Sequence, residues 1–249
     1  MIKKIRILGI APYKGLVTLM KQCALQYPEI ELTAYAGSME QGLALAKRYS
    51  EHYDVIISRA NTAKMISQSV HIPVIDIGIG YYDVLRCIKM AQNTGTKFAL
   101  LGFQSLTVIA KNLCDLLQIH VDIFSFSVDN WKGSGDLLDR MKEQGYKTVV
   151  CDMIPYDHAK MIGLTPILLT SSAESVKQAM ENAIGTWQQY QKLCNSNAMM
   201  QSLIRSSSNQ YLILDLEGHC HYSTVDDEKE DDFIQSLQKE LGKCRATAR

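Results

Sequence analysis

The 249-residue sequence lacks the long apolar runs, the charge imbalance and the paired cysteines that mark several large classes of protein. No apolar run reaches the roughly 18 residues that a membrane-spanning helix needs. The 26 basic side chains equal the 26 acidic ones, so the basic excess typical of a nucleic-acid-binding domain is missing. The seven cysteines form no CxxC pair, and their scatter is typical of a protein from a reducing compartment. These absences favour a cytoplasmic globular protein that contacts neither a membrane nor a nucleic acid.

Motifs for cofactor binding and for common hydrolases are missing as well. The chain has no GxGxxG after its first strand, no GxxxxGK[ST], no HExxH and no GxSxG. We therefore expect no cofactor, no metal ion and no catalytic residue. The basic start MIKKIR is only superficially like a signal peptide, because the apolar stretch Ile5–Ile10 is too short and no small-residue cleavage site follows it. A first buried strand is the expected interpretation.

The sequence does contain an alternation of short apolar strands with amphipathic helices. Residues 5–77 show the order βαβαβαβ, and a similar order starts again near Asp83. The helix predicted before the final strand of this second series is Tyr156–Ile162. Such an alternation predicts an α/β fold with parallel sheets and right-handed crossovers. The pattern of residues 173–205 predicts one long helix that packs across both halves. From Ser206 the composition changes to a linker, then strand, turn, strand and a helix at Phe233–Leu241.

The two halves share a short sequence match. The segments VIISRANTAKMISQSVHIPVI (55–75) and VVCDMIPYDHAKMIGLTPILL (149–169) both run from a strand through a polar turn to Ala-Lys-Met-Ile and a proline-led strand. A four-residue identity can arise by chance, but the shared context favours an internal duplication.

Candidate binding residues lie in the loops that follow the strands. In open parallel sheets, ligands bind at the carboxyl ends of the strands, beside helix N-termini. These loops are rich in hydroxyl and amide side chains and include Arg59, which together suit a carboxylate or phosphate group. The same residue types are common helix N-caps, and for any single residue that alternative stays open. The convergence of six such loops favours a ligand cleft.

Two other features have a chemical and a structural interpretation. His219 and His221 lie on one face of a predicted strand, but a metal site needs more ligands, so an exposed strand face is the alternative. Cys151 ends a strand at the expected cleft. A two-thiol mechanism needs a second cysteine at the equivalent position of the first half, where Ser58 stands instead, and a lone thiol is more often structural.

Five loop motifs stand in order along the chain: DVIISRANTA (54–63), IPVIDI (72–77), YDVLR (82–86), LGFQ (101–104) and GLTPILLTSSAES (163–175). As a set they resemble the N-terminal receptor domain of the propionate-catabolism activator (PrpR-type) family of sigma-54-dependent transcription regulators. The resemblance covers about residues 3–200.

The resemblance implies two similar three-layer α/β/α lobes, each with a parallel four-stranded sheet, in a chelatase-like arrangement. It places lobe 1 at 1–78, with part of helix 173–205 packing back on it, lobe 2 at 79–185, and a linker with the start of a PAS-like segment at 206–249. It also implies a small-molecule effector between the lobes, which is 2-methylcitrate in the propionate regulator. Such regulators usually continue into an AAA+ ATPase and a helix-turn-helix domain, so this chain is expected to be a fragment.

Three departures from the family pattern lie in the expected cleft loops. Many relatives have Ser-Arg-Gly-Gly where this chain has Ser58–Asn61, and Ser-Gly-Tyr-Asp where it has Gly80–Asp83. Many also have Val-Gly-Asp where it has Val150–Asp152. Because the changes lie in the loops expected to bind the effector, the resemblance identifies the family and not which carboxylate this chain binds.

The preferred hypothesis is a sensing domain that binds an organic acid, either 2-methylcitrate-like or another carboxylate, between its lobes and controls downstream ATPase and DNA-binding domains. We also expect a homodimer through helix 173–205 or the C-terminal segment. An alternative is a two-lobe enzyme of racemase, isomerase or chelatase type that uses Asp152, Asp83 or Cys151. An extracytoplasmic binding protein has the same shape but needs an export signal. The expected ligand contacts are Tyr13, Ser58, Arg59, Asn61, Thr62, Tyr82, Asp83, Phe103, Gln104, Ser105, Asp152, Ser171 and Ser172.

Overall fold

The computed structural model describes residues 4–127, 133–206, 209, 211–215 and 219–224. The chain forms two compact units, Met1–Trp187 and Gln188–Arg249. The first unit holds two parallel four-stranded sheets, and the part of the second unit that is described holds the end of a long helix and a two-stranded hairpin.

The first lobe is built on a parallel sheet with strand order β2-β1-β3-β4. Its elements are β1 (Ile5–Ala11), α1 (Lys14–Ala24), β2 (Ile30–Ala36), α2 (Met39–Tyr49), a short 3-10 helix (Ser50–His52), β3 (Val55–Ser58), α3 (Ala60–Ser67) and β4 (Val74–Asp76).

The second lobe repeats this topology, with strand order β6-β5-β7-β8 and all pairs parallel. Its elements are α4 (Tyr81–Asn93), β5 (Phe98–Phe103), α5 (Gln104–Leu117), β6 (Asp122–Phe126), α6 (Ser134–Glu143), β7 (Thr148–Cys151), α7 (Met153–Met161) and β8 (Thr165–Leu168). The matching order in the two lobes confirms the predicted α/β fold of two similar lobes.

Each sheet is buried on both faces, which explains its near-continuous apolar strands. In the first sheet, Ile7 and Ile57 pack on one side, and Leu8 and Ile56 pack on the other. In the second sheet, Leu100 faces α4 and α5, whereas Leu101 faces α6 and α7. Burial of one such side chain stabilises the fold by about 1.5–3 kcal/mol.

The chain passes between the lobes twice. Helix α4 follows β4 of the first sheet but packs its Val84 and Ile88 into the core of the second lobe. Helix α8 (Ala173–Ser206) follows β8 of the second sheet, and its Val176 and Met180 pack into the core of the first lobe. The crossovers at residues 77–80 and 169–172 therefore connect the lobes at the carboxyl ends of their strands.

The structure corrects the start of one helix. Helix α7 begins at Met153, three residues before the predicted Tyr156. Pro155 fits this earlier start, because proline is tolerated in the first turn of a helix, where its missing N–H has no intrahelical partner. Asp152 takes the N-cap position with an extended backbone.

In the second unit, β9 (Leu212–Leu214) and β10 (Cys220–Ser223) form an antiparallel hairpin, as the sequence predicted. The helix predicted at 233–241 lies outside the described residues. The PAS-like start therefore stays a prediction. In the described part of the chain, no helix combines the length and the hydropathy needed to cross a membrane.

Candidate functional site

The carboxyl ends of both sheets border one cleft that consists of three adjoining pockets. The central pocket, here called the inner recess, has a volume of about 40 Å³ and lies between Arg59 and Asn61 of the first lobe and Phe103 and Asp152 of the second. A pocket of about 390 Å³ adjoins it at Ala60, Asn61 and Phe103. A pocket of about 620 Å³ adjoins it on the other side, at Pro12, Ser38, Met39, Met153 and Ile154. We name these the aromatic pocket and the Tyr13 pocket.

Arg59 occupies the N-cap position of α3, directly after β3, and is 5% exposed. Its Nη1 donates a 2.8 Å hydrogen bond to the carbonyl oxygen of Leu169, in the second crossover. The Tyr13 ring lies 5.9 Å from its Cζ. Its Nε and Nη2 are buried and have no hydrogen-bond partner among the described residues. These two nitrogens form one edge of the guanidinium plane, the edge that binds a carboxylate with two parallel hydrogen bonds.

Other buried polar atoms near Arg59 also lack a partner. They are Ser58 Oγ, Asn61 Nδ2 and Ser171 Oγ, all within the described part of the chain. Most buried polar side-chain atoms in proteins are hydrogen-bonded, so each exception calls for an explanation. Several exceptions at the end of β3 and in the facing crossover indicate a place where a polar ligand or ordered water completes the bonding.

Asp152 faces this site from the second lobe. Its Oδ2 accepts a 3.4 Å hydrogen bond from the backbone N–H of Phe103. Burial raises the pKa of Asp152, and the nearby Arg59 and the Phe103 hydrogen bond only partly oppose that effect. Gly102 is required beside it, because a Cβ there would lie 2.5 Å from Leu106 Cδ2 and 3.0 Å from Asp152 Oδ2.

The second crossover is fastened by side chains from several elements. Tyr13 Oη accepts a 3.0 Å hydrogen bond from the N–H of Ser171. Arg86 donates to the carbonyl oxygen and to Oγ1 of Thr170, at 2.9 and 2.6 Å. With the Arg59–Leu169 bond, these contacts fix the segment that joins β8 to α8.

Asp83 and Ser172, two of the expected ligand contacts, bind each other instead. Asp83 is fully buried, and its carboxylate accepts hydrogen bonds from the N–H of Ser172 (2.9 Å), the hydroxyl of Ser175 (3.1 Å) and the N–H of Gly80 (3.3 Å). Ser172 Oγ in turn accepts from the N–H of Ser175 (3.3 Å), as an N-cap does. Both therefore join the two crossovers rather than face the pockets.

The remaining expected contacts lie in different places. Arg59, Asn61, Thr62, Phe103 and Asp152 line the inner recess, Asn61, Phe103, Gln104 and Ser105 line the aromatic pocket, and Tyr13 lines the pocket named after it. Thr62 Oγ1 is engaged, because it accepts a 3.1 Å bond from the N–H of Met39. Ser58 and Ser171 are buried and line none of the three pockets, and Tyr82 is largely exposed outside them.

The sequence interpretation missed several residues at the cleft. Ala60 has φ +49°, a left-handed conformation that favours glycine, and the N–H of Ala60 donates a 2.7 Å bond to Asp76 Oδ1. The signal was present, because relatives of the resembled family have glycine there. Met39 has φ +47° and lines two of the pockets. Met153 and Ile154 also line two of the pockets and were missed because the cleft loops were searched for polar side chains.

The described residues give little support for catalysis. Cys151 is fully buried, and burial raises the pKa of its thiol, which keeps it protonated and a poor nucleophile. Among the described residues that line the inner recess, Asp152 is the one carboxylate. His158 faces Asp139 of α6 at 3.5 Å and lines none of the three pockets. The arrangement is better suited to binding than to proton transfer.

The described residues include no cluster of three or more side chains able to hold a metal ion. His219 Nδ1 and His221 Nε2 both approach Asp215 Oδ2 instead, at 2.9 and 3.5 Å.

Comparison with known proteins adds a family and a fold. The profile of a family described as propionate catabolism activator matches residues 26–192. The crystal structure of an NtrC family transcriptional regulator from Clostridium acetobutylicum is similar, with a TM-score of 0.65, 25% sequence identity, and coverage of 74% of this chain and 97% of that one.

Other solved structures are less similar. They include the transcription regulator CcpA of Lactococcus lactis (TM-score 0.45, 14% identity, coverage 75% and 92%). A probable LacI family transcriptional regulator from Corynebacterium glutamicum gives a TM-score of 0.44 with 13% identity and coverage of 73% and 93%. No curated protein matches the chain.

Proposed function

This chain belongs to the propionate catabolism activator family, and from that membership we propose that it is the small-molecule sensing domain of a transcription activator. The similarity to an NtrC family regulator, which covers 97% of that chain, supports a regulatory role. We propose that the effector is an organic acid bound in the cleft between the two lobes, and that the domain is cytoplasmic.

The observation that carries this proposal is the unpaired edge of the Arg59 guanidinium. A buried Arg that leaves Nε and Nη2 without partners among the described residues offers a carboxylate two parallel, charge-assisted hydrogen bonds. Asn61 supplies a further unpartnered donor at the same recess, Nδ2. The opposite wall, Phe103 and Asp152, belongs to the second lobe. A ligand in this position would contact both lobes.

We propose that effector binding favours a closed arrangement of the lobes. A ligand that bridges Arg59 and the Phe103–Asp152 wall has more contacts when the lobes are close, so it shifts the population toward closure. The contacts that fasten the second crossover would carry this change to the start of α8. In a complete sigma-54-dependent activator, ATPase and DNA-binding domains would respond to it.

Isothermal titration calorimetry of the protein against organic acids tests this proposal, with Arg59→Ala and Arg59→Lys as variants. Loss of one partner of a buried charged pair costs about 2–5 kcal/mol, so Arg59→Ala should weaken binding by at least about 30-fold. Arg59→Lys keeps the charge but loses the planar pair of donors and should recover only part of the affinity.

The matched control is Arg48→Ala, an exposed arginine on α2 outside the three pockets. It should bind as the wild type does. Equal affinity of wild type and Arg59→Ala would contradict the proposed site.

We also propose a homodimer through the part of α8 that lies in the second unit. Apolar residues recur there with the a and d spacing of a coiled coil: Tyr190 (a), Leu193 (d), Met200 (d) and Ile204 (a), with Asn197 at the a position between them. Tyr190, Leu193 and Met200 are 54%, 64% and 59% exposed in the single chain.

Two features favour a second copy of this chain as the partner. An asparagine at one a position is the device by which parallel two-stranded coiled coils set their register. The charged residues of this stretch, Lys192 and Arg205, fall at c and b positions, so two identical helices would not oppose like charges.

A further inference from the structure

The aromatic pocket has an apolar wall that a polyacid does not need. Ile79 of the first crossover, Phe103, Ile109 of α5 and Phe126 of β6 line it. The rings of Phe103 and Phe126 lie 4.4 Å apart and hold each other in place. Its volume of about 390 Å³ falls in the range of about 300–1,000 Å³ that is common for small-molecule sites. The apolar part of a ligand whose acid group lies in the inner recess could be buried against this wall.

The aromatic pocket is lined by one basic and one acidic side chain, so its lining has no net charge. Lys64 and Asp76 are its charged side chains among the described residues. Asp76 Oδ1 already accepts hydrogen bonds from the N–H of Ala60 (2.7 Å) and of Gly78 (2.9 Å), which holds the carboxylate in place. Lys64 is exposed on α3, so an ion pair between it and a second acid group of a ligand would be screened by solvent and would add little to binding.

The cleft as a whole also has no excess of positive charge. Its charged lining among the described residues consists of three basic side chains, Lys14, Arg59 and Lys64, and four acidic ones, Glu40, Asp76, Asp152 and Asp157. Arg59 alone among the basic ones is buried with unpartnered donors. A dianion or trianion would bring at least one charge that has no buried cation to meet it, at the cost of its desolvation.

We infer that the cleft is selective for a monocarboxylic acid with an apolar or aromatic body rather than for a di- or tricarboxylate. This inference rests on the proposed function, because it requires binding at Arg59. The carboxylate pairs with Nε and Nη2 of Arg59 in the inner recess, and the apolar body lies against Phe103, Ile109 and Phe126.

Calorimetry with two sets of acids tests the inference. Hexanoate, benzoate and phenylacetate are the monocarboxylate probes, and succinate, citrate and 2-methylcitrate are the polyacid probes, each titrated into wild type and Arg59→Ala. We expect at least one monocarboxylate to bind about tenfold or more tighter than any polyacid, and to lose that affinity in Arg59→Ala.

The outcomes separate the two proposals. Tighter, Arg59-dependent binding of a polyacid would overturn the selectivity and leave the sensing function intact. Absence of Arg59-dependent binding for every probe would overturn both. Equal affinities for the two sets would also overturn the selectivity.

A charge placed in the aromatic pocket gives a second, independent measurement. Ser105 is exposed and lines this pocket, so Ser105→Lys adds a cation there with little risk to folding. It should shift the ratio of succinate to hexanoate affinity toward succinate by about tenfold. The control Val108→Lys, on the same helix but outside this pocket, should leave the ratio unchanged. An unchanged ratio in Ser105→Lys would count against a ligand body in this pocket.

Discussion

At the residue scale, the cleft is defined by two side chains at equivalent positions of the repeated lobes. Arg59 follows β3, and Asp152 follows β7, the third strand of each sheet, and both are helix N-caps. The internal duplication therefore places opposite charges on the two sides of the inner recess. Arg59 can meet a ligand acid group, whereas the carboxyl of Asp152, whose pKa desolvation raises, lies on the opposite wall of the recess.

The variant Asp152→Asn should change how stability depends on pH. The pKa of Asp152 is raised above its ordinary value of 3.8 in the folded protein, so the folded state binds this proton more tightly than the unfolded chain. Its favourable contribution is fully present below the ordinary pKa and is lost as the pH rises through the folded pKa. Asparagine does not ionise, yet it keeps an oxygen for the N–H of Phe103.

Urea unfolding of both proteins at a series of pH values from 4 to 7.5 measures this effect. The free energy of unfolding of Asp152→Asn, relative to wild type, should rise with pH and then level off. A difference that stays constant across the series, or that falls with pH, would contradict the assigned burial of this carboxylate.

At the element scale, the sequence predicted the strands and helices well and the contacts between them poorly. The apolar run Ile5–Ile10 places β1 within one residue of its observed bounds, because a strand buried on both faces leaves an unbroken apolar segment. Local patterns cannot show which polar residues satisfy each other across the chain. Asp83 bonds Ser172, 89 positions away, and Arg59 bonds Leu169, 110 positions away.

The same limit applies to the residues predicted for the candidate site. Loop composition identified Arg59 and Asp152 at the cleft but could not separate them from Asp83 and Ser172, which have similar loop positions and a structural role. The distinction depends on which atoms keep an unpaired donor after folding. Which donors remain unpaired is determined by the tertiary structure and not by the local sequence.

Two glycine substitutions should have opposite effects on stability. A Cβ at Gly102, at the end of β5, would lie 2.5 Å from Leu106 Cδ2 in a buried site, so Gly102→Ala should destabilise the protein by about 1–3 kcal/mol. Gly185 lies within α8 with no atom within 4 Å of an added Cβ, so Gly185→Ala should stabilise it by up to about 1 kcal/mol.

Thermal unfolding of the two variants beside wild type measures both effects, since 1 kcal/mol corresponds to about 2–4 °C for a chain of this size. A midpoint for Gly102→Ala at or above that of wild type would show that Leu106 can move aside without cost. A lower midpoint for Gly185→Ala would mean that something contacts this helix face.

At the scale of the whole molecule, Arg59 and Tyr13 join the proposed binding site to the second crossover, which connects the lobes. Arg59 uses Nη1 to hold the carbonyl of Leu169, and its Nε and Nη2 have no partner among the described residues. Tyr13 contacts both Arg59 and the N–H of Ser171. A ligand that pulls on the guanidinium therefore acts on the segment about which the lobes would turn. We propose that an effector bound in the cleft would alter the start of α8 by this route.

The last prediction concerns the dimer. If Tyr190, Leu193, Asn197, Met200 and Ile204 form an a/d seam, Leu193→Glu and Met200→Glu should each abolish self-association, because a glutamate at d would be buried against its own copy. Asn195→Glu is the matched control, since it adds the same charge at an f position, opposite the seam.

Asn197→Ile should tighten association and loosen its restriction to two chains. Sedimentation equilibrium over a range of protein concentrations measures all four variants beside wild type. A wild type that stays monomeric at every concentration, or an Asn195→Glu variant that dissociates as fully as Leu193→Glu, would exclude this seam as the interface.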